Sequence, residues 1–508
     1  MDASGRAECL SDTRKDLIQS ISNWAKDLTA CNVLWLHGLA GSGKSTLSTT
    51  IANKFRELGW LGAFIFFDRD ASERSDPATV IRTLAYQVGS LHTRAGTAIS
   101  RVVEKFPDIF LSPIRVQFQK LLVEPLSDEG VIDSNSPFVL LLDGLDECGS
   151  AKKREVLLEL LAEQSIQLPS AVRILITSRS ERDIRGAFVD RHHILVQELD
   201  ITSHANSNDI SCYLRDRMKR MQRKSPDLLF GHDWPREDDI RGLTERASGL
   251  FVWASTAAEF MDGHDPSRRM NTILQGDIGS GAEYALDALY RTALKSAGNW
   301  EDSDFIFDFK EVIGMILVAR HPLSSTAIDL LLHLPRDRPS SHTIAQLGCL
   351  LQQQPAVRFL HPSFADFLST RSRCVRDLWY FNHALHNHAF AMRCLGRLDR
   401  VLRQNICDLT LSTDMADLGL PEDVSYSCVF WIDHICAIED DSTTIVEKLS
   451  SFLRRHLLHW FEAMSILKRS RQSVALLDRL LNWISVSYPI TRSNIIQMRS
   501  YMTEPCSE

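Results

Sequence analysis

The sequence has no excess of positive charge: 57 Lys and Arg stand against 65 Asp and Glu, for a net charge of −8. It therefore offers no broad cationic field to nucleic acid or anionic lipid. A local basic cluster at residues 215–224 (RDRMKRMQRK) reads as the solvated face of one helix. No apolar run reaches the roughly 18 residues of a membrane-spanning helix. The longest, residues 312–319 (VIGMILVA), suits a buried helix. The opening residues, MDASGRAECL, contain no apolar stretch of the kind a secretory signal needs. The eleven cysteines are scattered, odd in number and without a C-x-x-C pair, which suits free thiols in a reducing compartment. No period of about 20–50 residues marks a solenoid or propeller. These absences lead to an expectation of a cytoplasmic, disulfide-free chain with no membrane span and no nucleic-acid partner.

What is present is ordinary globular composition, 44% apolar and 24% charged, in 508 residues, enough for about three domains. Apolar spacing predicts a helix within residues 11–30, a strand at 33–36, and a helix carrying Leu47, Ile51, Phe55 and Leu58. Strands then alternate with helices: strands at 62–67, 138–142, 172–177 and 193–196, helices at 78–91 and 153–161. Strands apolar on both faces, alternating with helices, imply a parallel sheet covered on both sides. Polar segments at 68–76 and 127–136 read as surface insertions, and a Gly- and Asp-rich stretch at 262–282 as a linker. Beyond residue 200 helical spacing dominates, with a short extended piece at 357–360 before another helix.

Between the first strand and its helix lies Gly38-Leu39-Ala40-Gly41-Ser42-Gly43-Lys44-Ser45-Thr46, a complete G-x-x-x-x-G-K-[ST] phosphate loop. Small residues let successive backbone N–H groups face phosphate oxygens, and the following helix adds its positive end. Lys44 suits the β and γ phosphates, and the Ser45 hydroxyl suits Mg²⁺. Such a loop needs a carboxylate on a neighbouring strand to hold the hydrated metal; Asp143, ending the 138–142 strand, fits, although Asp-Gly is also turn chemistry. Asp146 and Glu147 follow, placed to orient or deprotonate an attacking water, Glu147 ahead of Asp146; their alternative role is capping the helix near Ala151. Arg179, after the 172–177 strand, is either a reporter of the γ-phosphate or a surface arginine, with Arg69 and Arg74 as lesser candidates. No Asn-Lys-x-Asp guanine-reading motif occurs, which weakens a Ras-like GTPase reading without excluding GTP, and the expected nucleotide is ATP or GTP. His383, His386, His388 and Cys394 fit no usual zinc-ligand spacing, and Cys428 and Cys436 read as core residues.

With GLAGSGKST and DGLDE (residues 143–147) together, the chain resembles the NACHT-domain NTPases of the STAND class, in particular the nephrocystin-like NACHT proteins of fungi. FFDR (66–69), TLAYQV (83–88), ILITSRSE (174–181), SGLFVWAS (248–255), LDALY (286–290) and LHPSFADFL (360–368) extend the likeness over roughly residues 10–490. The resemblance implies an α/β P-loop NTPase, a parallel sheet with helices on both faces, followed by helical, winged-helix and C-terminal helical domains. The boundaries expected are a helical leader at 1–30, the nucleotide domain at 31–200, a helical domain at 201–300, a winged helix at 301–372 and a C-terminal helical domain at 373–508. The resemblance also implies that His361 contacts the diphosphate of bound ADP in a resting form; capping or packing on the next helix is the plainer alternative. The family's Gly-x-Pro contact to the base is here Gly249-Leu250-Phe251, without the proline.

The implied function is a nucleotide-dependent switch, closed with ADP and open with ATP, with slow hydrolysis and self-association when activated, in fungal immunity-like or cell-death signalling. Effector and sensor partners are not identified by the sequence, and no effector domain or repeat array is recognised within it. Two other classes stay open: a turnover enzyme such as a small-molecule kinase or AAA-type motor, and an interaction scaffold stabilised by nucleotide.

Overall fold

The computed structural model describes residues 6–487 apart from 70, 72–73, 225–233, 277–280, 375, 409–418 and 439–442. Its chain divides into two units, Met1–Thr292 and Ala293–Glu508. The first is organised by five strands: β1 (Val33–His37), β2 (Leu61–Phe66), β3 (Phe138–Asp143), β4 (Val172–Ser178) and β5 (Ile194–Glu198). They pair in the order β2-β3-β4-β1-β5, all parallel.

Strand parity sorts the apolar side chains into two cores. Val33, Trp35, Leu140, Leu142, Ile174 and Ile176 enter one, while Leu34, Leu36, Val139, Leu141 and Leu175 enter the other. The second core is covered by α1 (Lys15–Lys26), through Ile21 and Trp24, and α2 (Lys44–Glu57), through Leu47, Ile51 and Phe55. The first is covered by α3 (Val80–Leu91), α4 (Thr93–Lys105), α5 (Ile114–Phe118), α6 (Glu124–Ser127), α7 (Ala151–Glu163) and α8 (Arg182–Phe188). Each large apolar side chain so buried contributes about 1.5–3 kcal/mol. The expected two-sided cover fails only at β5, the sheet edge, where Leu195 and Val196 are exposed.

Helices α9 (His204–Lys224), α10 (Glu237–Ala247) and α11 (Phe251–Met261) follow the sheet. The basic cluster on α9 is a solvated face, its charges met by ion pairs such as Arg215–Glu237 and Lys224–Asp262. The stretch read as a linker is corrected in part: it holds α12 (Pro266–Gln275), which buries Met270 and Ile273. The residues suggesting a linker are helix-start signals here, because Asp265 accepts the Arg268 N–H at 2.9 Å and Pro266 takes the first turn. Residues 277–280 of that stretch lie outside the described residues, and α13 (Ala282–Ala297) follows.

In the second unit α14 (Ser303–Val318), which contains most of the longest apolar run and buries Val312, Ile313 and Met315, is followed by α15 (Ser325–Leu332) and α16 (Ser340–Gln346). A short antiparallel ribbon, β6 (Leu351–Gln352) with β7 (Arg358–Phe359), and then α17 (Pro362–Ser369) come next. Helices α18 (Arg371–Cys374), α19 (His383–Val401), α20 (Glu422–Ile435), α21 (Thr443–Ile466) and α22 (Ser470–Ser487) make up the remainder, and the sequence reading beyond residue 487 lies outside the described residues. Here Cys394 and Cys428 are buried, burial pushing both thiols up to about 12, while Cys436 is only half-buried. His383 meets Ser369 Oγ at 2.7 Å. The ten cysteines among the described residues are free, and no helix among them is long and apolar enough to cross a membrane.

Gly249 joins α10 to α11 with φ +81°, and a Cβ there would stand 2.1 Å from the Ile201 carbonyl oxygen. The Asn206 side chain fixes this corner by donating to Ile201 O at 2.8 Å and Gly249 O at 3.0 Å. Gly249→Ala is expected to destabilise the protein by about 1–3 kcal/mol, read as a lower urea midpoint at unchanged slope.

Candidate functional site

The strand order places the carboxyl end of β4 between those of β1 and β3, and the phosphate loop leaves β1 beside it. Gly41 has φ +77°, and a Cβ there would stand 2.0 Å from Val252 Cγ1. Its carbonyl accepts the Val252 N–H at 3.0 Å, so the start of α11 is stitched to the loop. Gly38 is buried, Leu39 exposed and Ala40 half-buried. The Ser42 hydroxyl is buried without a hydrogen-bond partner. Gly43 is the N-cap of α2, and Lys44, Ser45 and Thr46 form its first turn, which holds no acidic residue. Lys44 Nζ donates to the carbonyls of Gly38 and Leu39, each at 2.8 Å. Burial pulls its ammonium down to about 8, against the attraction of Asp146.

Asp143 ends β3 and is 1% exposed. Its register partner in β4 is Thr177, whose hydroxyl donates to Asp143 Oδ1 at 2.6 Å. Oδ2 faces Arg6 Nη1 at 3.0 Å. After the left-handed Gly144, Asp146 and Glu147 sit in a single 3-10 turn, Leu145–Glu147. Neither is the cap of α7, whose N-cap position is Ser150. Asp146 instead clasps Arg179: Oδ1 accepts its backbone N–H at 2.9 Å, and Oδ2 lies 3.3 Å from its Nε. Arg179 is accordingly partly buried and held at the site rather than loose on the surface. Glu147 Oε2 faces the Arg69 N–H at 3.4 Å, and burial pushes the carboxyl up to about 7 although Arg69 opposes it. Arg74 lies over the Phe66 ring at 4.8 Å.

Residues 38–46, Asp143, Asp146, Glu147 and Arg179 are thus gathered at one end of the sheet. His361 belongs to the second unit, where its Nδ1 accepts the Ser363 N–H at 3.1 Å and caps α17. Sequence reasoning passed over four residues of the site. Thr177 was hidden because only strand pairing brings it to Asp143. Arg154 of α7, 2% exposed, donates to Asp146 O at 2.8 Å and to Asp183 Oδ2 at 2.6 Å, and also pairs with Glu181. Arg14 donates to Ser42 O at 2.9 Å and lies over the Phe251 ring at 4.7 Å. Arg6 carries no motif, being 137 positions from Asp143.

The arrangement fits a polyphosphate with a divalent cation. A buried hydroxyl lacking a partner, a helix N-terminus and an ammonium meet at the loop. A buried carboxylate and the Ser45 hydroxyl supply oxygen donors of the kind Mg²⁺ takes.

A protein family described as nephrocystin 3, N-terminal, matches residues 12–179. The vegetative incompatibility protein HET-E-1 of Podospora anserina is 24% identical over 482 residues, covering 88% of this chain and 34% of that protein. The chain therefore spans about a third of that relative's length. Among solved structures, a signal transduction ATPase with numerous domains (STAND) from Pyrococcus horikoshii, with a tetratricopeptide-repeat sensor, aligns over 98% of this chain and 61% of its own, at 12% identity and TM-score 0.45. RuvB from Thermotoga maritima aligns over 69% of this chain and 93% of its own, at 15% identity and TM-score 0.26.

The Glu147 carboxyl gives the site a pH signature. Its folded value of about 7 lies above the ordinary 4.5, so between these values the folded state keeps a proton that the unfolded chain has lost. Stability therefore falls as pH rises through that window. Glu147→Gln removes the loss: its melting temperature should equal wild type near pH 4.5 and exceed it at pH 8. The difference is expected to be about 1–2 kcal/mol, discounted for the partial exposure of this side chain. A gap independent of pH would mean that Glu147 is not held protonated by burial.

Proposed function

We propose that this chain, whose residues 12–179 match the nephrocystin 3 N-terminal family, is a nucleotide-dependent signalling switch of the NACHT-like STAND class of P-loop NTPases. In this reading the phosphate loop holds ATP or GTP, Lys44 neutralises the β and γ phosphates, and Ser45 and Asp143 hold Mg²⁺. The cation would polarise the γ-phosphate when bound. The observation that carries the reading is the convergence on one sheet end of the buried Ser42 hydroxyl, Lys44 and the buried Asp143 carboxylate fixed by Thr177.

Within this proposal Asp146 and Glu147 take different parts. Asp146 directs both oxygens at Arg179, so it positions that arginine rather than accepting a proton from water. Glu147, raised to about 7, is the general base, and a base near the working pH is the effective kind. Arg179 is placed to answer the charge of a γ-phosphate. Slow hydrolysis then resets the switch, and the triphosphate form self-associates. Resemblance to a vegetative incompatibility protein supports a setting in fungal immunity-like or cell-death signalling, and in this reading the chain works in the cytoplasm.

Two substitutions test the reading. Lys44→Ala should abolish binding of a fluorescent ATP analogue, because the phosphate charge loses its ammonium. Glu147→Gln should bind with near wild-type affinity and hydrolyse about 100-fold more slowly or worse. Phosphate release from wild type should stop near one equivalent per chain. Sustained rapid turnover would instead identify an enzyme of metabolism or a motor, and unchanged binding by Lys44→Ala would sink the phosphate-loop assignment.

A further inference from the structure

The chain ahead of α1 runs across the candidate site. Arg14 Nη2 donates to Ser42 O at 2.9 Å, the Cys9 N–H donates to Thr50 Oγ1 at 2.8 Å, and Asn53 Nδ2 donates to Glu8 Oε1 at 2.8 Å. These bonds lash residues 8–14 to the phosphate loop and to the outer side of α2. Residue 6 is thereby delivered to the end of β3. Its guanidinium lies over the Phe66 ring at 4.5 Å and puts Nη1 3.0 Å from Asp143 Oδ2.

The chemistry at that carboxylate is exclusive. Asp143 is 1% exposed, and a buried carboxylate needs a counter-charge and filled lone pairs. Thr177 serves Oδ1 and Arg6 serves Oδ2. A divalent cation held by the same carboxylate would stand close to the guanidinium, and two positive groups at that range repel strongly. Arg6 is 27% exposed in its side chain, so it has a path to solvent, whereas Asp143 does not.

We infer that Arg6 is a built-in rival of Mg²⁺ for Asp143: the metal displaces it and frees the segment ahead of α1, and without metal Arg6 holds that segment on the site. The inference rests on the assignment of Asp143 to the metal in the proposed function. It makes the 6–9 segment the part of the chain that reports whether the nucleotide has brought a cation. A purely structural Arg6–Asp143 pair would behave differently, because its loss would loosen the segment without changing the demand for metal.

The test uses the full chain, as wild type, Arg6→Ala and Arg6→Lys. Binding of a fluorescent ATP analogue is titrated with free Mg²⁺, and amide exchange is followed in the peptide holding Cys9, with ATP plus EDTA or ATP plus Mg²⁺. In wild type, Mg²⁺ should raise exchange at the Cys9 amide about 10-fold or more. Arg6→Ala should lower the half-saturating Mg²⁺ about 5-fold or more; it should also lower the melting temperature in EDTA, where Asp143 loses its counter-charge, and regain it when ATP and Mg²⁺ are added. Arg6→Lys, which keeps the charge, should restore most of the demand for metal. An Arg6→Ala protein with the wild-type Mg²⁺ midpoint overturns the inference, as does a Cys9 amide indifferent to the metal. Failure of wild type to bind the analogue at all overturns the parent reading instead, and the rivalry with it.

Discussion

The site depends on β4 lying between β1 and β3. Parallel pairing on both its edges aligns Leu36 with Thr177, His37 with Ser178, and Asp143 with Thr177. Thr177 can therefore reach sideways to the carboxylate of β3. Ser178, pointing to the other face, accepts the Trp35 indole N–H at 2.8 Å and donates to the Arg179 carbonyl at 2.8 Å. A slip of one residue would exchange the two hydroxyls between faces, leaving Asp143 without its donor and burying Thr177 against Trp35. The apolar alternation along β3 and β4, sorted into two cores, resists that slip.

Beyond the strand ends, order is kept by charge. The turn after β3 and the loop after β4 are both held by Arg154, which binds Asp146 O, Gly149 O, Glu181 and Asp183. The Asp146–Arg179 pair links the same two segments a second time. Removing one partner of such a buried set leaves an uncompensated charge, which costs more than the pair contributes when intact. This is why the two adjacent carboxylates differ. Asp146 is engaged on both oxygens, while Glu147 is burdened chiefly by burial and keeps a raised affinity for protons.

Much of this was legible in the sequence because it is local. The strands that are apolar on both faces, the glycine-rich loop before Lys44 and the acidic end of 138–142 are each contained in a few consecutive residues. The helices between 93 and 127 were not assigned: Ile114–Phe118 and Glu124–Ser127 have too few turns for a period to emerge, whereas Thr93–Lys105 is long enough to show one and was missed. The 262–282 stretch, read as a linker from its Gly and Asp, misled for another reason: Asp265 there is the cap of a helix that Pro266 begins. Thr177, Arg154, Arg14 and Arg6 were beyond reach because their roles are set by pairing over long separations. No spacing rule connects Arg6 with Asp143.

The charges at the sheet end are matched to one another, and that constrains what ligand can gain by entering. Lys44 is committed to the Gly38 and Leu39 carbonyls, Asp143 to Thr177 and Arg6, and Asp146 to Arg179. An anion alone would improve the lot of Lys44, whose charged form burial has weakened, but would leave Asp143 with Arg6. A cation alone would have to displace Arg6 while meeting the repulsion of Lys44 and Arg179 with nothing between them. An anion and a dication arriving together would relieve both difficulties at once: phosphate oxygens would shield the ammonium from the metal, and the metal would replace the guanidinium at Asp143. On the proposed reading a metal–polyphosphate complex would be favoured over either component, by mutual screening rather than by the strength of any single contact.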